Sequence, residues 1–261
     1  MTCTRPVKLD ETFVVPCGRC VACRIAHAHE WAARMVHEAS CHEYNSFITL
    51  TYDDDCLPEN RGLRKDDFTL FLKLLRYYYG DKKLKYYGCG EYGGMNGRPH
   101  YHIITFGFNP KDRDLVDKAW KKGRTQCGTV TYASAKYCAN YVLKINNFNW
   151  KELGLEKPFQ RCSNGIGLEW LNKNMRDYVE NRKMRANGAE TGLPRYYQKK
   201  IGDKIDRHDK YEDSRLQNID RWTKRIKVLQ KDVLLKSDID ASIEQSEKTI
   251  KARVKLMKEK L

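Results

Sequence analysis

Two histidines separated by one residue, His100 and His102, are the first feature of the sequence that could do chemistry. They lie in PHYHIITFGF, whose aromatic and β-branched residues predict a strand over residues 99–108. Side chains two positions apart on a strand share a face, so both imidazoles can reach one divalent ion. Glu91, on the adjoining predicted strand, is the best-placed carboxylate for a third ligand. The spacing therefore predicts a metal site, the alternative being two ordinary surface histidines.

A second histidine pair of the same spacing, His27 and His29, provides an internal control. Its apolar neighbours recur near helical spacing, which predicts a helix over residues 24–40. Positions i and i+2 of a helix do not face each other. This pair is therefore not predicted to bind an ion as His100 and His102 do.

Tyr137, Tyr141 and Lys144, in the segment AKYCANYVLK, form one stripe of a predicted helix over residues 134–145. A separate stripe of small and apolar residues occupies another face and can pack on a sheet, leaving both phenols beside a site. A phenol with a pKa of about 10 becomes a nucleophile when a metal or a cation such as Lys144 activates it. The pattern favours a tyrosine attacking a phosphodiester, and half-buried structural tyrosines are the alternative.

Ten cysteines are present, and three of them, Cys17, Cys20 and Cys23, have the tight spacing of thiolate metal ligands in CGRCVAC. Cys3 is the first choice for a fourth ligand and His27 the second. The pattern predicts a structural Zn²⁺ site, with reduced, unliganded cysteines as the alternative.

The charge balance points to a polyanionic partner. The chain has 49 Lys and Arg against 34 Asp and Glu, a formal net charge of +15. Such an excess favours nucleic acid through counterion release. We find no apolar run long enough for a membrane span and no secretory signal at the N-terminus. The sequence therefore predicts a cytoplasmic DNA- or RNA-binding protein without a membrane partner.

The order of elements predicts an α+β fold. Hydrophobic periodicity indicates strand, helix, two strands, helix and strand, a split βαβ (ferredoxin/RRM-like) arrangement that forms an antiparallel sheet palm with helices packed on one face. The predicted strands cover 47–52, 84–93, 99–108 and 128–133, and the intervening helices cover 64–80 and 112–123.

Three regions are expected along the chain. Residues 1–40 form a Cys-rich N-terminal segment and helix, residues 41–200 the catalytic domain, and residues 201–261 a charged helical tail. Three roles stay open for the tail, which are recruiting a host replication helicase, clamping DNA or packing on the palm.

The motifs FITLTYDDDCLP, CGEYGGMNGRPHYHIITFGF and AKYCANYVLK resemble, in this order, the three motifs of rolling-circle replication initiators of the His-hydrophobic-His endonuclease superfamily. PCGRCVACR, EWAARMVHEAS, RCSNGIGLEWL and LPRYYQKKI further resemble the initiators of the microviruses, small single-stranded DNA phages, in their gokushovirus-like branch. The resemblance covers about residues 1–200.

The resemblance implies that His100 and His102 bind Mg²⁺ or Mn²⁺ and that Tyr137 and Tyr141 are the nucleophiles. Lys144 matches the basic position after the second tyrosine, whereas Asn140 departs from the basic residue expected before it. The implied activity is nicking of single-stranded DNA at a phage replication origin through a 5′-phosphotyrosine intermediate, followed by rejoining, in the cytoplasm of an infected bacterium.

Three other functions remain open from the residues. A non-catalytic, basic, zinc-stabilised DNA-binding protein would use its tyrosines to stack bases. A metal-dependent nuclease could activate water and dispense with both tyrosines. A relaxase or transposase would share the tyrosine chemistry.

Overall fold

A computed structural model of the protein describes residues 3–9, 14–80, 82–93, 97–140, 149–175, 183–186, 189–202 and 243–252. The chain divides into two compact units, Met1–His27 with Gln198–Leu261, and Ala28–Tyr197. The division into three regions at residues 40 and 200 stays a prediction. Within the described residues, no helix has the length and apolar character needed to cross a membrane.

The strands, numbered in chain order, form one large sheet and two small hairpins. The hairpins pair β1 with β2 and β8 with β9, and the large sheet has the order β6-β3-β5-β4-β7 with every neighbouring pair antiparallel. The strands are β1 (Val7–Lys8), β2 (Val14–Val15), β3 (Asn45–Thr51), β4 (Lys85–Tyr92), β5 (Pro99–Phe106), β6 (Thr125–Thr129), β7 (Phe159–Cys162), β8 (Lys183–Ala186) and β9 (Ala189–Gly192).

Six helices are defined among the described residues, and residues 243–252 are also helical. They are α1 (Val21–Ala39), α2 (Lys65–Tyr79), α3 (Arg113–Trp120), α4 (Tyr132–Ala139), α5 (Leu168–Lys173) and α6 (Arg195–Gly202). Part of the predicted charged tail, residues 203–242 and 253–261, lies outside the described residues.

The central sheet confirms the predicted α+β fold and split βαβ order. Strands β3 and β4 are joined through α2, and β5 lies between them antiparallel to both. Strand β6 follows α3 and pairs with the other side of β3. Strand β7, which was not predicted, extends the sheet beyond β4.

Helices cover both faces of this sheet. On one face α2 and α3 pack on Leu50, Tyr101 and Ile103, as the split βαβ order predicts. On the other face α1 and α4 pack on Ile104 and Phe106. The central strand β5 has side chains buried on both faces, and it therefore needs cover on each side rather than on one.

The predicted strand over 128–133 is placed too late in the chain. The structure has β6 at Thr125–Thr129 and begins α4 at Tyr132. Thr131 caps the helix by accepting a hydrogen bond from the backbone N–H of Ser134, and the Ser134 hydroxyl accepts one from the backbone N–H of Thr131. This capping box satisfies two backbone donors and so turns a β-like pattern into a helix start.

A buried carboxylate ties α1 to the sheet. Glu38 is 0% exposed and accepts hydrogen bonds from Lys85 (2.6 Å), from the backbone N–H of Gly167 (2.6 Å) and from His42 (2.9 Å). Burial by itself would raise the pKa of Glu38, but these three donors lower it to about 2. The ionised form is therefore the one that the folded protein stabilises.

We expect Glu38→Gln to lower the free energy of unfolding at neutral pH by about 3 kcal/mol, because Lys85 loses its buried partner. Because the folded pKa is depressed, the contribution of the carboxylate is complete above the unfolded value of 4.5 and is lost as pH falls through about 2. Urea unfolding at several pH values between neutrality and that range checks this. The control is Glu169→Gln, which breaks an exposed ion pair with Lys173. Equal stability of Glu38→Gln and wild type at neutral pH would contradict the expectation.

Candidate active site

Strand register brings the predicted metal ligands together. Glu91 of β4 lies directly opposite His100 of β5, and Thr49 of β3 lies opposite His102. Directly opposite residues of antiparallel strands project from the same face. All four side chains therefore share the face of the sheet that α4 covers.

The ligand atoms converge on one carboxylate oxygen. The Nε2 atoms of His100 and His102 each lie 3.1 Å from Oε1 of Glu91. Glu91 is 2% exposed and His102 is 7% exposed, whereas His100 is partly exposed. The three residues thus form a compact cluster with one open side, in which every ligand atom lies within 4.8 Å of the others.

Neighbouring groups orient both imidazoles. Nδ1 of His100 donates to the backbone carbonyl of Arg98 at 3.0 Å, and Nδ1 of His102 lies 3.0 Å from the Thr49 hydroxyl. The ring of Phe47 stacks on His102 at 5.6 Å. Sequence reasoning missed Phe47 and Thr49 as site residues, although their alternation along the predicted strand 47–52 was the available signal.

The donor set fits a divalent cation. The carbonyl of Arg98 can only accept, so Nδ1 of His100 carries the proton and neutral His100 presents its Nε2 lone pair to the Glu91 carboxylate. Two electron-pair donors facing each other are stabilised by a cation or a proton between them. Two imidazoles and one carboxylate, with second hydrogen bonds on the rings, are the usual ligand chemistry of such a cation.

Tyr137 of α4 reaches the same cluster. Its hydroxyl donates to Oε1 of Glu91 at 2.9 Å and lies 3.4 Å from Nε2 of His102. Its ring meets His102 edge-on, and the residue is 40% exposed. The phenol is therefore held at the cluster and still open to a large ligand.

Small residues let α4 approach the sheet closely. Ala135, Cys138 and Ala139 are each fully buried against the core of that face, as the predicted stripe requires. The other two predicted catalytic residues, Tyr141 and Lys144, lie outside the described residues.

The four predicted zinc ligands form a second cluster. The Sγ atoms of Cys3, Cys17, Cys20 and Cys23 all lie within 4.8 Å of one another, and His27 is not part of this group. Cys3 lies 3.5 Å from Cys17 and 3.8 Å from Cys20, sulfur to sulfur. A tetrahedral ion with Zn–S bonds of about 2.3 Å requires sulfur separations of about 3.8 Å. The spacing therefore fits a closed four-thiolate site.

Local hydrogen bonds favour a thiolate in this cluster. Burial opposes ionisation of Cys20, but hydrogen bonds from Thr4 and from the backbone of Cys23 lower its pKa to about 6. The pKa of Cys17 is also lowered, against burial, by the backbone N–H groups of Cys20 and Arg19. Because metals bind thiolates rather than thiols, these donors prepare the cluster for an ion.

The internal control behaves as the sequence predicts. His27 and His29 lie on α1, and neither belongs to a potential metal cluster among the described residues. Secondary structure therefore separates two identical spacings, one of which converges on a carboxylate.

Fold and site together define an α+β protein in which the three central strands of an antiparallel sheet carry a two-histidine, one-carboxylate cluster beside a helical tyrosine. The family model described as replication-associated protein ORF2 matches residues 45–146. This stretch begins with β3 and includes the three residues of the cluster and the tyrosine beside it.

Three phage proteins are similar over a larger part of the chain. They are Replication-associated protein VP4 of Bdellovibrio phage phiMH2K (32% identical over 72% of this chain), Replication-associated protein ORF4 of Chlamydia phage 1 (30% over 71%) and Replication-associated protein ORF2 of Spiroplasma virus 4 (34% over 61%). The matched regions span 67%, 53% and 58% of these relatives' lengths. No solved structure matches the chain significantly.

The chain belongs to the family of phage replication-associated proteins. This confirms the family resemblance that the sequence motifs indicated.

Proposed function

We propose that this protein initiates rolling-circle replication by nicking and rejoining single-stranded DNA, with Tyr137 as a nucleophile. The observation that supports this most strongly is the Tyr137 hydroxyl, which lies 2.9 Å from Glu91 and 3.4 Å from His102 while the residue stays 40% exposed. A structural tyrosine would not need to open toward solvent beside two imidazoles and a carboxylate.

In the proposed reaction the Tyr137 oxygen attacks the scissile phosphorus and its proton passes to Oε1 of Glu91, the acceptor of its hydrogen bond. The bond from phosphorus to the 3′ oxygen breaks, and that oxygen takes up a proton to leave as a hydroxyl. The product is a 5′-phosphotyrosine that keeps the energy of the phosphodiester. Attack by a 3′-hydroxyl on this intermediate reverses the step and rejoins the strand.

His100, His102 and Glu91 would hold Mg²⁺ or Mn²⁺, which would supply polarisation of the scissile phosphate and offset its developing charge. The hydrogen bonds that join the two imidazoles to Arg98 and Thr49 keep their Nε2 atoms directed at the cluster. Tyr141 is proposed as the second nucleophile and Lys144 as a cation that stabilises its phenolate, both on the basis of sequence spacing.

The proposed substrate is the origin of a single-stranded DNA phage, in the cytoplasm of an infected bacterium. Family membership and the net charge of +15 support a DNA partner. A host replication helicase is a further proposed partner, for which the charged tail is the candidate region.

The test is incubation of the full chain with a phage-origin single-stranded oligonucleotide and Mn²⁺, followed by a denaturing gel. We expect a protein–DNA adduct that chelation of the metal prevents. Cleavage without an adduct would replace this mechanism with water attack. Binding without cleavage across several origin sequences would leave the non-catalytic DNA-binding protein as the function.

We also propose that Cys3, Cys17, Cys20 and Cys23 bind a structural Zn²⁺ ion. The sulfur separations and the lowered pKa of Cys20 support this, and the cluster packs with Ala22 and Ile250 in its own small core. The ion would stabilise the N-terminal segment, because residues as far apart as Cys3 and Cys23 would share one coordination sphere.

We expect Cys20→Ser to remove the bound zinc, about one ion per chain in wild type, and to lower the melting temperature. Atomic absorption of the purified protein and a thermal scan measure the two effects. The matched control is Cys56→Ser, since Cys56 is exposed and outside the cluster. Wild-type protein that contains no zinc and is insensitive to chelators would contradict the proposal.

A further inference from the structure

A cavity of about 380 Å³ lies beside the candidate active site. Its walls are mainly apolar, formed by Leu57, Pro99, Leu153 and Leu155. Leu57 and Leu155 pack on the core beneath, whereas Leu153 is 61% exposed at the rim. The volume lies in the lower part of the range for small-ligand pockets, about 300–1,000 Å³, which suits one nucleotide.

Polar groups with unused hydrogen-bonding capacity line the same cavity. Nε of Arg98 is buried and has no hydrogen-bond partner among the described residues, although the end of its guanidinium pairs with Asp54. The Oδ1 atom of Asn60 accepts from the backbone N–H of Gly62, which leaves its amide NH₂ group available to a ligand. An orphaned buried donor is costly, so the structure points to a ligand that accepts from it.

Arg61 adds a second cation in an unusual conformation. Its φ is 53°, in the left-handed region that non-glycine residues rarely adopt. The backbone N–H of Arg61 donates to the carbonyl of Pro58 at 2.7 Å, which holds this turn. The exposed guanidinium has no carboxylate partner among the described residues and stands at the rim of the cavity. Strained backbone of this kind is often kept where function needs it.

The cavity adjoins the proposed chemistry through one strand. Arg98 lines the cavity, while its carbonyl orients His100 two residues later. Two strand residues span about 7 Å, which is the scale of one nucleotide step in an extended single strand. A DNA strand whose phosphate lies at the His100 cluster could therefore place a neighbouring nucleotide in the cavity.

We propose that this cavity binds one nucleotide of the single-stranded DNA substrate, a neighbour of the scissile phosphate. The leucines and Pro99 hold the base, Arg98 and Asn60 donate to it, and Arg61 contacts a phosphate. The inference rests on the proposed function for the identity of the strand, but its test measures binding alone.

The test uses fluorescence anisotropy of labelled oligothymidylate and the full chain, with chelator present so that no cleavage occurs. We expect Arg61→Gly to weaken binding about 5- to 10-fold and to reduce the salt slope by about 0.7, as for one lost phosphate contact. Glycine suits the left-handed backbone, so this change leaves the fold intact. The matched control is Lys121→Gly, which removes the same charge at the other non-glycine residue with positive φ (47°) in the described residues.

A second variant tests the base. Because Leu153 is largely exposed, Leu153→Ser should fold normally, weaken binding of oligothymidylate about 3-fold and leave binding of an abasic oligomer of equal length unchanged. Equal effects of Arg61→Gly and Lys121→Gly would overturn the proposal. So would thymidine monophosphate binding that depends on Arg61 and leaves oligomer binding unaffected, which would make the cavity a site for free nucleotides. A protein that shows the expected binding pattern but never nicks would refute the proposed function and keep this site.

Discussion

Tyr137→Phe eliminates the covalent protein–DNA adduct and lowers the rate of nicking by at least about 10³-fold. The substitution removes one oxygen, the atom that the geometry places 2.9 Å from Glu91 and 3.4 Å from His102. The ring keeps its edge contacts with His102 and Phe47, so the site should stay assembled. One half-exposed hydrogen bond contributes only about 1 kcal/mol to stability, and unfolding is therefore not expected.

Adduct formation on a denaturing gel, with circular dichroism as a check on folding, measures this result. Tyr77→Phe is the matched control, because Tyr77 is 79% exposed on α2 and outside the cluster. Tyr141→Phe and the double variant rank the two candidate nucleophiles. An adduct that persists in Tyr137→Phe and disappears in Tyr141→Phe would assign the first attack to Tyr141 and contradict the expectation.

The second large effect is expected from His102→Ala. This change removes one of two imidazole ligands together with its ring stacking on Phe47. Loss of a ligand should weaken Mn²⁺ binding by more than the roughly 10–100-fold that changes behind the ligands usually cost. Nicking should then be undetectable at metal concentrations that saturate the wild type, while DNA binding in chelator is retained.

Titration of Mn²⁺ by calorimetry, followed by nicking assays across the same concentrations, separates metal affinity from catalysis. His29→Ala is the control, since it removes an exposed histidine of identical spacing from α1. Unchanged Mn²⁺ affinity in His102→Ala would show that the cluster does not bind the ion, whatever the effect on nicking.

Much of the local structure could be predicted because it depends on short-range periodicity. The apolar positions of α2, Phe68, Phe71, Leu72 and Leu75, are spaced for one helix face, and all four are buried. The strands that carry His100 and Glu91 were also found by pattern. Strand β6 was misplaced because the capping of α4 by Thr131 and Ser134 involves side-chain hydrogen bonds that hydrophobic patterns do not contain.

The sequence by itself determined which residue types were available for chemistry and which of them could share a face: His100 with His102 on a strand, and Cys17, Cys20 and Cys23 around one centre. Tertiary structure alone decided that Glu91 stands opposite His100, that Thr49 contacts His102, and that Cys3 closes the thiol group. The physical reason is that local spacing follows from backbone geometry, whereas register between distant strands follows from burying both faces of the sheet at once. The cavity between Arg61, Arg98 and Leu155 belongs to the same category, because it joins segments that no sequence period connects.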